Sequence, residues 1–332
     1  MSDDVAAGPN RIAGLSLPAL RDYGIYFALI ALVAYFSLRI EEFRTWNNAA
    51  LILLQVSVIG IIAIGMTFTI ITAGIDLSVG SLLAIAGIMS GQFAQRDPTP
   101  VNVACAFALP IVVGVLGGAL NGAVIAGAGV NPLIVTLGTL TAFRGFVVWY
   151  RVNPIYDLQP YYSVVGQGSL FGVPVPVIVL ALVAVTASLV LGYTRFGRYV
   201  YAVGGNREAA RAAGINVALV TFSVYLISGL CVGVAALIFT SRLMAAQAIS
   251  GQGFELQAIA AAVIGGASLF GGRGKISNTI VGALIMGVLF NGFVMLDVSQ
   301  PIQQMSVGII IIVSVWLDGV LRKRRRMRIH GR

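Results

Sequence analysis

Long apolar runs separated by short polar stretches occupy nearly the whole chain. In the first half they cover about Tyr23–Leu38, Ala49–Ala73, Ser78–Ala94, Val101–Gly127 and Pro132–Tyr150. A sixth run follows the polar stretch Arg151–Gly172, and a seventh covers about Ala218–Thr240. The eighth lies between SRLMAAQAISGQGFELQ and FGGRGKIS, and the last two flank a short polar loop at Asp297–Pro301. A helix needs about 20 apolar residues to cross a bilayer. The pattern therefore predicts an all-α membrane protein with ten transmembrane helices over residues 23–320, a polar tail at 1–22 and a basic one at 321–332. The second run exceeds the required length and is predicted to be tilted, kinked or partly unwound. It ends in AGIDLSVGS at 73–81.

The longest charged interruption, RFGRYVYAVGGNREAARAAGINV at 195–217, orients the other spans. It holds Arg195, Arg198, Arg207 and Arg211 against the single acid Glu208, and basic loops stay in the cytoplasm. Ten spans then put both termini inside. Fifteen of the 21 Lys and Arg residues fall in segments that this register places inside, and five in external loops: Arg39, Arg44, Arg96, Arg151 and Arg242. The remaining one, Arg144, falls within the fifth run. Inside the interruption Asn206 is a helix N-cap, and Glu208 sits in the first turn, where the helix dipole favours an anion. Arg211 lies nearer the opposite end, and Gly214 supplies a left-handed stop. The product is a helix of about two turns, too short to stand alone in water. It either docks on a partner or lies on the headgroups as a connector.

Composition narrows the function classes. With 58% hydrophobic and 10% charged residues and a mean hydropathy of +0.94, the chain lies outside the soluble range. A net charge of +9 would suggest nucleic acid in a soluble protein, but here the basic residues gather at span ends and in the tail, where topology accounts for them. Cys105 and Cys231 both fall within apolar runs and His330 is the only histidine, so neither a disulfide framework nor a metal site is implied. The first apolar run lacks a short h-region and a small-residue cleavage site, and reads as a retained helix. GGRGKIS looks like a phosphate loop, but Leu269 and Ile276 stand where that pattern needs Gly and Ser or Thr. Metalloprotease and aspartyl-protease groups are missing as well, so no catalytic residues are assigned.

Asp76 and Arg144 are the charges within or at the edge of spans, where an ionisable group is expensive and by default functional. Asp76 is either a pathway group or an N-cap for a helix beginning near Leu77. Arg144, about 18 Å along its helix from Pro132, is either a pathway group or snorkels to the external headgroups. Asn131 and Pro132 start that helix as cap and first residue. Gly114, Gly118, Gly122 and Ala126 form a small-residue stripe suited to close helix packing. Asn291, on the same small-residue face as Ala283 and Gly287, suits interhelical hydrogen bonding. No chain of Asp, Glu and His offers a proton relay, so energy for uphill transport would have to come from elsewhere, and a pump driven by a separate ATPase predicts such a protein. AGIDLSVGS with its following run weakly echoes GGRGKISNT with its own, as internal duplications do.

Several motifs in order carry a resemblance over nearly the whole chain. AGIDLSVGS at 73–81, NPLIVTLGT at 131–139, RG at 144–145, AVGGNREAARAAGI at 202–215 and GFELQAIAAAVIGGASLFGGRGKI at 253–276 resemble the ribose, xylose and arabinose type permease subunits of bacterial ABC importers. The resemblance implies a subunit of the bacterial inner membrane that pairs with a second copy or a close paralogue. Two ATP-binding subunits would sit inside, and a periplasmic sugar-binding protein would deliver a monosaccharide outside. ATP would be used by the partners, with no cofactor on this chain. The family's ATPase-coupling loop maps onto Gly204–Ile215 and passes its role to Gly204, Gly205, Asn206, Glu208, Ala209, Ala210, Arg211 and Gly214. Pathway candidates are Asp76, Ser78, Asn131, Thr136, Thr139, Arg144 and Asn291, and Arg44, Arg151 and Arg242 are candidates for meeting the binding protein. Gln257 replaces the acid of the family's ELDAIAA, and Ala248 stands where the family has proline. Rival readings are an importer of a branched-chain amino acid, nucleoside or furanose signal, and a secondary transporter.

Overall fold

The apolar runs fold as helices, several of which start behind a local side-chain cap. This is seen in a computed structural model that describes residues 11–12 and 15–330. α1 (Leu17–Arg39) begins within the expected tail, much of which lies outside the described residues. α2 (Trp46–Ile71) starts behind Thr45, whose side chain accepts from the Asn48 amide. α3 (Val79–Ala94) follows a non-helical break at 72–78. α4 (Pro100–Gly127) and α5 (Pro132–Tyr150) each have proline in the first turn, behind the side-chain caps Thr99 and Asn131. The stretch read as a plain loop at 151–172 contains a further helix, α6 (Ser163–Gln167), and then a tight hairpin pairing 169–170 with 173–174. α7 (Val175–Tyr193) leads to two consecutive short helices, α8 (Arg195–Gly205) and α9 (Arg207–Ala212). α10 (Val217–Leu243), α11 (Phe254–Ile264), α12 (Ile276–Met295) and α13 (Gln300–His330) complete the chain, so helix runs on into the expected basic tail.

Among the described residues α2, α4, α5, α7, α10 and α12 are long and apolar enough to cross a membrane, and residues 24–39, 79–94, 254–264 and 300–316 form shorter apolar helices. Two of the apolar runs end in non-helical breaks. The second run stays helical to Ile71, within one helix of 26 residues, and the non-helical break follows it before α3. The eighth run is helical over 11 residues only, about 16 Å at 1.5 Å per residue. The glycine-rich stretch 265–275 ends it, with Gly266, Gly271 and Gly272 all at positive φ, and each glycine costs a helix about 1 kcal/mol relative to alanine.

α2 is the axis of the bundle. Every residue from Val56 to Ile71 is buried, against α7, α10, α11 and α12, as expected of a helix that is apolar all round. α4 and α10 share the most extensive contact, and the small-residue stripe is its cause. A Cβ at Gly118 would fall 2.4 Å from the Tyr225 carbonyl oxygen, and one at Gly114 would fall 2.3 Å from the Gly229 carbonyl oxygen. Gly229 approaches Gly114 just as closely from the other side. Without water to drive association, such backbone-to-backbone packing is what holds helices together in lipid.

The bundle has two unlike ends. One carries α8, α9, the α2–α3 break and the turn at 265–275. The other carries α6 and the 244–253 loop, tied to the 151–162 segment by reciprocal backbone bonds of 2.9 Å between Ile155 and Ala246. Gly118→Leu should lower the melting midpoint in detergent sharply or prevent folding, because overpacking a tight interface costs about 1–3 kcal/mol or more. Gly127→Leu, on the same helix with open space around it, should leave the midpoint nearly unchanged.

Candidate functional site

At the first end, α8 is seated by its apolar side. Thr194 caps it, accepting the Gly197 amide at 3.1 Å, and Val200, Val203 and Gly204 are buried. The spacing of Phe196, Val200 and Val203 on one helical side was the available signal for this helix, masked by the arginines around it. α9 follows with the expected local chemistry: the Asn206 side chain accepts the Ala209 amide at 3.0 Å, and Gly214 stands at φ +80. Gly205, Asn206, Glu208, Ala209, Arg211 and Gly214 are exposed, while Ala210 is buried and anchors the helix. Arg211 donates to both Glu208 carboxylate oxygens, at 3.1 and 3.2 Å. An ion pair this exposed contributes little stability, so a partner can take it apart at small cost.

Gly204 faces inward instead. A Cβ there would fall 1.7 Å from the Ile71 carbonyl oxygen and 2.7 Å from the Gly272 amide, so glycine lets α8 close onto the end of α2. Three further bonds tie this junction: Gly272 N donates to Ile71 O at 2.8 Å, Arg207 Nη2 to Thr72 O at 3.3 Å and Tyr201 Oη to Gly274 O at 2.7 Å. Burial pushes the Tyr201 phenol up from its ordinary value, which keeps it a neutral donor.

The break then climbs into the bundle. Thr136 on α5 donates to Ile75 O at 3.1 Å, and Tyr225 on α10 donates to the same oxygen at 3.4 Å. Asp76 and Ser78 are fully buried. Asp76 Oδ1 accepts the Ser78 amide at 3.1 Å and the Ser78 hydroxyl at 2.6 Å, while Oδ2 accepts the Ser228 hydroxyl of α10 at 2.8 Å. Asn121 of α4 donates to Ser78 Oγ at 2.8 Å. The helix begins at Val79 with Ser78 in the cap position, so Asp76 is not the cap expected near Leu77. It braces the turn from outside and ties it to α10. Ser228, Asn121 and Tyr225 had no sequence signal beyond being polar residues within apolar runs.

The other pathway candidates lie apart from this cluster. Arg144 Nη1 donates to Ser250 O at 3.1 Å and to Ala248 O, holding the 244–253 loop toward the opposite end of the bundle. Its guanidinium is thereby engaged with protein carbonyls, which differs from snorkelling to headgroups. One departure from the family pattern, Ala248, is itself a carbonyl that Arg144 holds. Asn131 caps α5, accepting Leu133 N at 2.9 Å, and Thr139 bonds back to its own helix at Val135 O, 3.1 Å. Asn291 and Asn48 form a reciprocal amide pair between α12 and α2, at 2.7 and 3.1 Å. Arg44 is exposed and lies 3.9 Å from Glu41. Arg151 and Arg242 are half-buried, and the Arg242 carbonyl accepts from Gln167 at 3.0 Å.

The family described as branched-chain amino acid transport system / permease component matches residues 48–315. The chain is 38% identical to the ribose import permease protein of Haemophilus influenzae over 90% of this chain and 94% of that protein. It is 40% identical to the D-allose transport system permease protein of Escherichia coli, over 91% and 92% respectively. With the xylose transport system permease protein of Haemophilus influenzae the identity is 34%, over 92% and 98%. No solved structure matches the chain.

Replacing Asp76 by leucine strands the Ser78 and Ser228 hydroxyls and the Ser78 amide, and each unsatisfied buried group costs about 1–3 kcal/mol. Asp76→Leu should therefore abolish or strongly depress the detergent melting transition. Asp76→Asn, which retains an acceptor oxygen for the Ser78 turn, should lose far less. Equal melting for the two variants would contradict the bracing role.

Proposed function

The chain belongs to the branched-chain amino acid transport system / permease component family, and on that premise we propose how it shares the work of transport with its partners. It is a transport protein rather than an enzyme, a multi-pass permease of the bacterial inner membrane. It serves as a subunit of an ATP-binding-cassette importer for a monosaccharide, working with ATPase and substrate-binding subunits. The family description names branched-chain amino acids, whereas relatives that align over 90% or more of this chain are named for ribose, allose and xylose. Those full-length relatives favour a sugar over an amino acid.

In our reading the six long helices and four shorter apolar ones make ten membrane segments, with both termini in the cytoplasm. The α9 end then faces the cytoplasm and the α6 end faces the periplasm. The observation that carries the coupling assignment is α9 itself: a capped two-turn helix, seated on the membrane domain by Ala210 and Gly204, whose Asn206, Glu208, Ala209 and Arg211 are left exposed. Such a helix is a preformed plug for a groove on an ATPase, and its basic flanks fit the positive-inside rule. ATP is bound and hydrolysed by that partner, with no cofactor on this chain. At the other end Arg44, Arg151 and Arg242 offer positive charge to acidic groups on a periplasmic sugar-binding protein. The outer helices expose apolar side chains, such as Leu133, Ile134, Leu137 and Trp149 of α5. We assign this surface to lipid and to a second permease copy or paralogue.

Transport follows alternating access. ATP-driven closure of the ATPases shifts α9, and packed helices rock to expose a polar path alternately to each side. Few strong ligands for the sugar are needed in the path, because the binding protein supplies the affinity.

Pull-down of the cognate ATPase by wild-type permease and by the double variant Glu208→Ala, Arg211→Ala tests the docking surface. Both charges are exposed, so the variant should fold and insert normally and yet lose most ATPase binding. Unchanged binding and uptake would reduce α9 to a connector. Vesicles that contain the permease without any ATPase should show no concentrative sugar uptake, and uptake there would favour the secondary-transporter reading.

A further inference from the structure

The α2–α3 break touches both the docking helix and the interior of the bundle, and side chains make a contact at each of its ends. At its lower end Arg207, the first residue of α9, donates to Thr72 O at 3.3 Å. Around that bond the backbone is packed without slack, with Gly204 against Ile71 O and Gly272 N bonded to the same oxygen at 2.8 Å. At its upper end Asp76 binds Ser228 of α10 at 2.8 Å and the Ser78 turn that starts α3. Between them lies Ala73, a non-glycine residue held at φ 60, a conformation that persists only where its surroundings enforce it.

Beyond Ser78 the connection continues. Gly80 in the first turn of α3 lies against the 244–253 loop, where a Cβ would fall 2.2 Å from the Gly251 carbonyl oxygen and 2.4 Å from a Glu255 carboxylate oxygen. That loop is the one whose Ala248 and Ser250 carbonyls Arg144 holds. The break thus gives movement of α9 a short route to α3, α10 and the loop toward the opposite end, beside the direct packing of α8 and α9 on α10.

We propose that Arg207 is a positioning residue for coupling: its bond to the Thr72 carbonyl makes the Thr72–Ser78 break move with α9, and Asp76 passes that movement to α3 and α10 through Ser78 and Ser228. This rests on the reading that α9 docks on an ATPase. Arg207 differs in role from Glu208 and Arg211. Those two face the partner, whereas Arg207 reaches back into the membrane domain. A docking residue sets ATPase affinity; a transmission residue sets how much sugar crosses for each ATP hydrolysed.

The test uses the complete importer in proteoliposomes, comparing wild type, Arg207→Ala and Arg207→Lys, with uptake of radiolabelled ribose, allose and xylose measured beside ATP hydrolysis. Arg207→Ala should pull down the ATPase as wild type does and keep its ATP hydrolysis, but transport about tenfold less sugar per ATP, the scale of a typical coupling energy. Arg207→Lys, which keeps a charged donor for the carbonyl, should recover part of that ratio. The detergent melting midpoint should be the same for all three. An unchanged sugar-per-ATP ratio in Arg207→Ala overturns the proposal. Loss of ATPase pull-down in Arg207→Ala also overturns it, by making Arg207 a docking residue, while leaving the importer reading intact. Failure of that broader reading would appear separately, as unchanged pull-down by the Glu208, Arg211 double variant.

Discussion

Inside a bilayer no water is available to a backbone carbonyl or amide, so every interruption of a helix must find its partners in protein. This constraint organises the molecule. Where α2 stops at Ile71, its carbonyl meets the Gly272 amide, and the next carbonyl meets Arg207. The Ile75 carbonyl takes Thr136 and Tyr225, and the Ser78 amide is accepted by Asp76. In the other broken region Arg144 supplies the donors for Ala248 and Ser250. The two charges that stand out in the apolar runs are therefore both engaged in satisfying broken backbone.

The same economy of polar groups explains how the helices pack. α4 and α10 approach backbone to backbone through Gly114, Gly118 and Gly229, and that approach brings Asn121 and Ser228 within reach of the α2–α3 break. Larger residues on either helix would separate these side chains from Ser78 and Asp76. Close packing thus does more than hold the bundle together, because it fixes the geometry of the buried polar cluster. Asn48 and Asn291 perform a comparable task between α2 and α12, each amide satisfying the other.

For an importer this arrangement separates attachment from transmission. The exposed side of α9 is built from local capping and one weak surface ion pair, which a partner can replace. The junction behind it is built from the Gly204 contact of α8 and from carbonyl bonds that allow little slack. In our reading a binding event on the outer side reaches the membrane domain through the contacts at Ile71 and Thr72 together with the packing of α8 and α9 on α10.

The sequence alone determined the class of the protein, the existence and approximate bounds of most apolar helices, and the caps at Asn131, Asn206 and Gly214. These features depend on composition or on contacts within about four residues, so they are written locally. It also carried the small-residue stripe on α4, though not the helix that the stripe meets. The eighth run was read as a full span because apolar composition outlasts helix: GGASL at 265–269 continues the apolar run but is too rich in glycine to stay helical. The arginines around α8 hid its buried side. Tertiary structure alone decided what Asp76 and Arg144 do, because their partners Ser228, Ala248 and Ser250 lie more than a hundred residues away. It also turned Gly204 inward while leaving Glu208 outward, although the two stand four positions apart in one motif. A residue's neighbours across the bundle depend on where every other helix packs, and no local pattern encodes that.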